Sequence, residues 1–172
     1  MDEQALVLAL GGALRARGVM LATAESCTGG LIAAACTAQA GSSDWFERGF
    51  VTYSNEAKSE MLDVEAGLIA THGAVSAEVA CAMADGALAH SRAQLAAAVT
   101  GIAGPTGATP DKPVGTVWLA LAQVGQAAKA ELLQLRGDRT AVRAQAVRLA
   151  LERLLDAACG PADALAPPSP HS

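Results

Sequence analysis

Three apolar runs in this 172-residue chain each end in a short polar turn, and that pattern restricts the fold more than any other feature. Val19–Ala24 runs into Glu25-Ser26-Cys27-Thr28-Gly29-Gly30, and a helical pattern follows from Leu31 to Ala38, closed by Gly41. Gly49–Tyr53 is β-branched and aromatic, as strands are, and Ser54 after it can cap a helix that starts near Asn55 and carries Lys58. Leu95–Val99 leads into Thr100-Gly101-Ile102-Ala103-Gly104-Pro105-Thr106-Gly107, a loop that extends through Pro110 and Pro113. An Ala/Leu-rich helix over Asp2–Arg17, stopped by Gly18, precedes the first run. Ser76 opens another helix, reaching about His90. Val114–Val124 and Ala130–Leu135 read as an antiparallel pair turning near Gly125. A last amphipathic helix runs from Asp138 to Gly160-Pro161. Strands alternating with helices, plus one late hairpin, predict a three-layer α/β/α sandwich with a mixed, mostly parallel sheet. The expected organisation is one domain over residues 1–160, with 161–172 a disordered Pro/Ala/Ser-rich tail.

Composition narrows the function classes. Hydrophobic residues make up 52% and aromatics only 3%, so the core is aliphatic and alanine-rich. The net charge of −5 argues against broad binding to nucleic acid or anionic membrane. No apolar run approaches the roughly 18 residues of a membrane span, and the acidic opening Met1-Asp2-Glu3 is unlike a secretory signal. Cys27, Cys36, Cys81 and Cys159 form no paired motif, which fits reduced thiols and a cytoplasmic protein. No metal-site spacing occurs, and no cofactor is implied. An alanine-rich exposed helix face predicts a homo-oligomer.

The polar turns hold the candidate chemistry, because ligands of α/β sheets collect beyond the carboxyl ends of strands. Ser26 is the best nucleophile: in a strand-to-helix turn, the N–H groups of Cys27 to Gly30 can receive an oxyanion or a phosphate. Alternatively Ser26 or Thr28 only caps the helix. Cys27 is the rival nucleophile or a packed thiol. His72, His90 and His171 are poorly placed as bases, so Lys58 is the better base if burial lowers its pKa; otherwise it is a solvated surface charge. Tyr53 can relay a proton or position the substrate. Thr100 and the glycines after it mark a sharp backbone turn without the Lys-Ser/Thr ending of a P-loop. Arg139 either holds a phosphate or pairs with a carboxylate.

Taken together, Ala24–Gly30, Phe50–Lys58, His72–Ser76, Thr100–Pro105, Lys112–Val117 and Gly137-Asp138-Arg139 resemble the CinA C-terminal domain family of nicotinamide-nucleotide amidohydrolases. The resemblance covers about residues 5 to 155. It implies hydrolysis of the carboxamide of nicotinamide mononucleotide to nicotinate mononucleotide and ammonia, in pyridine nucleotide salvage. Carried over, it makes Ser26 the nucleophile and Lys58 the base, with Tyr53 and Thr100 assisting. Glu25, Thr28, Gly29, Gly30, Asn55, Gly101, Gly104 and Arg139 then bind the substrate. Gly107-Ala108 departs from the paired glycines common in the family, and Arg136 adds a cation near the proposed phosphate side. Longer relatives carry an N-terminal pyrophosphatase domain, and the expectation here is deamidation without that activity. The alternative is a non-catalytic nucleotide-binding or regulatory module linked to competence or DNA repair.

Overall fold

The computed structural model describes residues 1–161. Five strands, β1 (Leu21–Glu25), β2 (Phe46–Val51), β3 (Leu95–Gly101), β4 (Thr116–Gln123) and β5 (Lys129–Gln134), form one sheet in the order β2-β1-β3-β4-β5. β1 pairs in parallel with β2 and β3, while β4 is antiparallel to β3 and β5. Four strands therefore point one way and β4 alone opposes them. The mixed α/β architecture is the one the alternating pattern predicts.

Strand alternation sorts the core into two layers. Leu21, Leu95, Val99, Val117 and Leu119 face α1 (Glu3–Arg17), α2 (Leu31–Thr37) and α6 (Arg139–Cys159). The opposite face is paved with Ala22, Ala24, Ala96, Ala98, Ala120 and Ala122 and packs against α3 (Asn55–Leu62), α4 (Ala66–His72) and α5 (Ala77–Ala89). Small side chains on this face bring α5 close to the sheet, and α5 answers with Ala80, Ala84 and Ala87. Gly86 extends the same logic to α3. A Cβ there would overlap the Leu62 carbonyl oxygen and approach the Leu62 Cβ to 2.8 Å.

The helix starts follow side-chain capping. Asp2 accepts from the Ala5 amide, Ser54 from Ala57, Ser76 from Val79 and Asp138 from Ala141. Three sequence expectations shift. The second strand begins at Phe46 rather than Gly49, because its parallel register starts with Phe46 opposite Leu21. It ends at Val51, so Thr52 and Tyr53 belong to the connection into α3. His72, expected in a turn, is the last residue of α4, a short helix that Gly73 ends. Beyond Pro161, the expected disordered tail lies outside the described residues.

Gly86→Ala should lower the unfolding free energy by about 1–3 kcal/mol, the usual cost of overpacking. In a domain of this size that is several degrees in Tm. Chemical and thermal unfolding would check it, and an unchanged Tm would mean α3 and α5 are free to separate.

Candidate active site

Parallel alignment of β1, β2 and β3 places their carboxyl ends along one edge of the sheet. Ser26 follows β1 directly, Tyr53 and Asn55 lie just past β2, and Thr100 and Gly101 end β3. The segments enclose a cleft of about 380 Å³, into which Ser26, Tyr53, Asn55, Lys58, Thr100 and Arg139 face. Gly101 and Gly104 supply backbone to its wall. A volume of that order suits a small organic ligand.

At the floor of the cleft Lys58 is 1% exposed, and its Nζ lies 3.2 Å from Ser26 Oγ. The carbonyl oxygens of Thr52, Tyr53 and Ser54 surround the same nitrogen at 3.2, 3.3 and 3.4 Å. Lys58 makes no ion pair with a carboxylate among the described residues. Burial depresses its pKa, with weaker opposition from the Cys27 thiol and the Glu56 carboxylate. Once neutral, the amine can donate to two carbonyls while its lone pair accepts the Ser26 hydroxyl proton. The solvated-surface alternative for Lys58 is therefore excluded by its position.

Cys27 also borders the cleft, but burial pushes its thiol up to about 11. A protonated thiol is a poor nucleophile. Ser26 Oγ, next to the buried amine, is the better-activated group.

The turn after β1 is held by groups at a distance in sequence. Glu25 is fully buried, and its two oxygens accept from the Ile32 and Ala33 amides at 2.8 and 3.0 Å. It caps α2, whose own N-cap residue Gly30 supplies no side chain. Glu25 thus works inside the protein rather than at the cleft wall. Thr28, Gly29 and Gly30 likewise do not line the cleft: Thr28 is fully buried, and the Gly29 amide donates to Ser26 O at 3.0 Å. The structure therefore separates these four from the other site candidates, because Glu25 already occupies the helix amides that an anion would need.

Thr100 Oγ1 donates to Ala74 O at 2.9 Å, leaving its oxygen free to accept. Arg139 donates to Gly104 O at 2.9 Å and reaches the Tyr53 hydroxyl at 3.4 Å. It makes no carboxylate pair among the described residues, which removes the pairing alternative. A second recess, bordered by Pro105, Val114 and Thr140, meets the cleft at Ala103 and Arg139. Arg136 borders neither. Sequence reasoning passed over Arg143, which donates to Cys27 O at 3.1 Å and Thr28 O at 3.2 Å. The available signal was its place one helical turn after Arg139.

Fold and site together define an α/β sandwich with a serine–lysine pair at the carboxyl edge of its parallel strands. The CinA C-terminal domain matches residues 3–158, and the chain belongs to that family. Nicotinamide-nucleotide amidohydrolase PncC of Escherichia coli (strain K12) is 53% identical over 145 residues, spanning 84% of this chain and 88% of that protein. A CinA-like protein of Citrifermentans bemidjiense is 56% identical over 90% of this chain, which corresponds to 36% of that longer protein. The crystal structure of competence/damage inducible protein CihA from Agrobacterium tumefaciens superposes with a TM-score of 0.87 at 47% identity, covering 91% of this chain and 95% of that one.

Titration of Lys58 Nζ, followed by NMR of the ζ nitrogen, should show a midpoint below the ordinary ~10.4 of lysine. Between that midpoint and the ordinary value the unfolded chain binds the extra proton, so stability should rise with pH across the window. Lys58→Met should remove that slope. A midpoint at the ordinary value would take from Lys58 its capacity as a base near neutral pH.

Proposed function

We propose that this chain hydrolyses the carboxamide of nicotinamide mononucleotide to nicotinate mononucleotide and ammonia, in the cytoplasm and within residues 1–160. The observation that carries the reading is the buried Lys58 Nζ, with no carboxylate partner among the described residues, 3.2 Å from Ser26 Oγ at a cleft of ligand size. Relatives more than half identical across nearly their whole length bear the name nicotinamide-nucleotide amidohydrolase.

Chemistry follows from the pair. Neutral Lys58 takes the Ser26 hydroxyl proton as Oγ attacks the carboxamide carbon, and the carbonyl oxygen becomes an oxyanion. The Cys27 amide, at the cleft wall beside Ser26, has no backbone acceptor among the described residues and can receive that charge, with the Thr28 amide next to it behind the wall. Protonated Lys58 then gives its proton to the departing nitrogen, so ammonia leaves and an ester remains on Ser26. Water, deprotonated by Lys58, attacks the ester; nicotinate mononucleotide departs and Ser26 regains its proton. Thr100 Oγ1, its proton committed to Ala74, accepts from the carboxamide N–H. Arg139, at the junction of cleft and recess, takes the phosphate, with Tyr53 beside it and Asn55 on the ribose side.

A regulatory binding module would gain nothing from burying an unpaired lysine against a serine, because the desolvation of that amine costs stability. The family's competence-related names therefore do not displace the enzymatic reading. A homo-oligomer fits the exposed apolar side chains of Leu31, Val51 and Tyr53 near the cleft.

Ammonia release from nicotinamide mononucleotide by the purified protein tests the proposal, with nicotinamide riboside as comparison. Ser26→Ala and Lys58→Ala should each lower kcat by at least about 100-fold, with Tm near wild type. Arg139→Ala should raise KM for the nucleotide and leave the riboside unaffected. Silence of the folded wild type toward both substrates would remove the reaction, and near-normal turnover of either Ser26→Ala or Lys58→Ala would remove the serine–lysine mechanism.

A further inference from the structure

Arg143 lies on α6, one turn beyond Arg139 and about 115 positions from the turn it touches. Its side chain is half-buried, and it makes no carboxylate pair among the described residues. Both of its hydrogen bonds go to backbone oxygens of the nucleophile turn: Nε donates to Cys27 O at 3.1 Å and Nη2 to Thr28 O at 3.2 Å. Gly29 leaves room for this approach, since even a Cβ at that position would lie 3.5 Å from Nη2.

Peptide planarity carries the consequence through the turn. In a trans peptide the C=O and the following N–H lie in one rigid plane and point in opposite directions. Holding Cys27 O therefore orients the Thr28 N–H away from the guanidinium. Holding Thr28 O orients the Gly29 N–H, which donates to Ser26 O at 3.0 Å. Ser26 O in turn shares its plane with the Cys27 N–H. Two bonds from one guanidinium thus fix three successive peptide planes. Directly after the nucleophile, the amides of Cys27 and Thr28 have no backbone acceptor among the described residues, and farther along the turn neither has that of Gly30. Glu25 anchors the far side of the turn through Ile32 and Ala33, and the Leu31 amide donates to Thr28 O at 3.1 Å, which leaves the Cys27 carbonyl held by Arg143.

We propose that Arg143 is the positioning residue of the nucleophile turn, fixing through the carbonyls of Cys27 and Thr28 the amides that receive the oxyanion. Arg143 touches no reacting atom. It acts through the backbone, and the proposal rests on the amidohydrolase reading for its oxyanion. A planar fork with several donors suits this task; a lysine ammonium at the same place would reach one carbonyl with less defined direction.

The test uses the full chain with wild type, Arg143→Ala and Arg143→Lys, assayed for ammonia release from nicotinamide mononucleotide. Arg143→Ala should lose about 10- to 100-fold in kcat, the scale of a small misplacement of catalytic groups, with KM within about threefold. Added guanidinium chloride at low, non-denaturing concentration should restore part of the rate to Arg143→Ala and none to Ser26→Ala. Arg143→Lys should fall between wild type and Arg143→Ala, and it covers the case in which the alanine variant does not fold. Independently of turnover, hydrogen exchange at the Gly29 amide should speed up in both variants, while the Ser26 amide, which donates to Val99 O, keeps its protection. Wild-type kcat in Arg143→Lys, a loss confined to KM or Tm, or unchanged Gly29 exchange would overturn the proposal. An inactive wild type whose Gly29 exchange still responds to Arg143 would instead overturn the amidohydrolase reading and leave the positioning of the turn supported.

Discussion

Among the described residues, every hydrogen-bond partner of the Lys58 amine is an oxygen, and none of them is a carboxylate. Three carbonyls accept from the amine, and burial penalises its charged form and lowers its pKa, which brings the free amine within closer reach. A carboxylate in the shell would oppose that shift and take away the lone pair that Ser26 needs. The site's chemistry thus depends on what is kept from Lys58 as much as on what is supplied to it. The carbonyls do a second job. They are consecutive, at Thr52, Tyr53 and Ser54, so the connection from β2 into α3 wraps the amine and sets its distance from Ser26.

Packing brings that connection to the right depth. The alanine-paved face of the sheet lets α5 sit close, and Gly86 lets the carboxyl end of α3 sit close to α5. α3 is therefore drawn down against the sheet edge with Lys58 on its buried side. Bulkier residues on the strands would raise this layer and withdraw Nζ from the hydroxyl. The opposite layer needs no such restriction: there Leu21, Leu95 and Val99 meet α1 and α6 with larger side chains. An aromatic content of 3% is in keeping with a molecule in which one layer must stay thin.

What the chain discloses before folding is mostly local. Strand-to-helix turns, the caps at Ser54 and Ser76, and the start of the last helix at Asp138 are written in neighbouring residues, and these placed the elements well. The start of β2 at Phe46 depends on its register against β1, and α4 is seven residues long with weak pattern of its own, so neither was legible. The same division holds in the site. Ser26 and Lys58 could be singled out by type and position, whereas the parts played by Glu25 and Arg143 could not be read, because their partners are backbone groups chosen by the tertiary fold. Glu25 in particular suggested a ligand contact while its carboxylate in fact closes a helix end.

That closure bears on where a substrate phosphate can go. The amino terminus of a helix after a β-strand is the usual anion seat in α/β proteins, and the turn after β1 has the glycines for one. Here the Ile32 and Ala33 amides are already taken by a buried carboxylate, and that negative charge repels a second anion from the same place. The turn is left with amides suited to a transient oxyanion close to Ser26, not to a dianionic phosphate. At the cleft mouth Arg139 has no carboxylate partner among the described residues, and it is held by Gly104 O and the Tyr53 hydroxyl. α6 therefore supplies two guanidinium groups to this region, Arg139 at the cleft and Arg143 on the backbone of the turn. On the proposed reading, the placement of this one helix sets the distance between the phosphate and the carboxamide under attack.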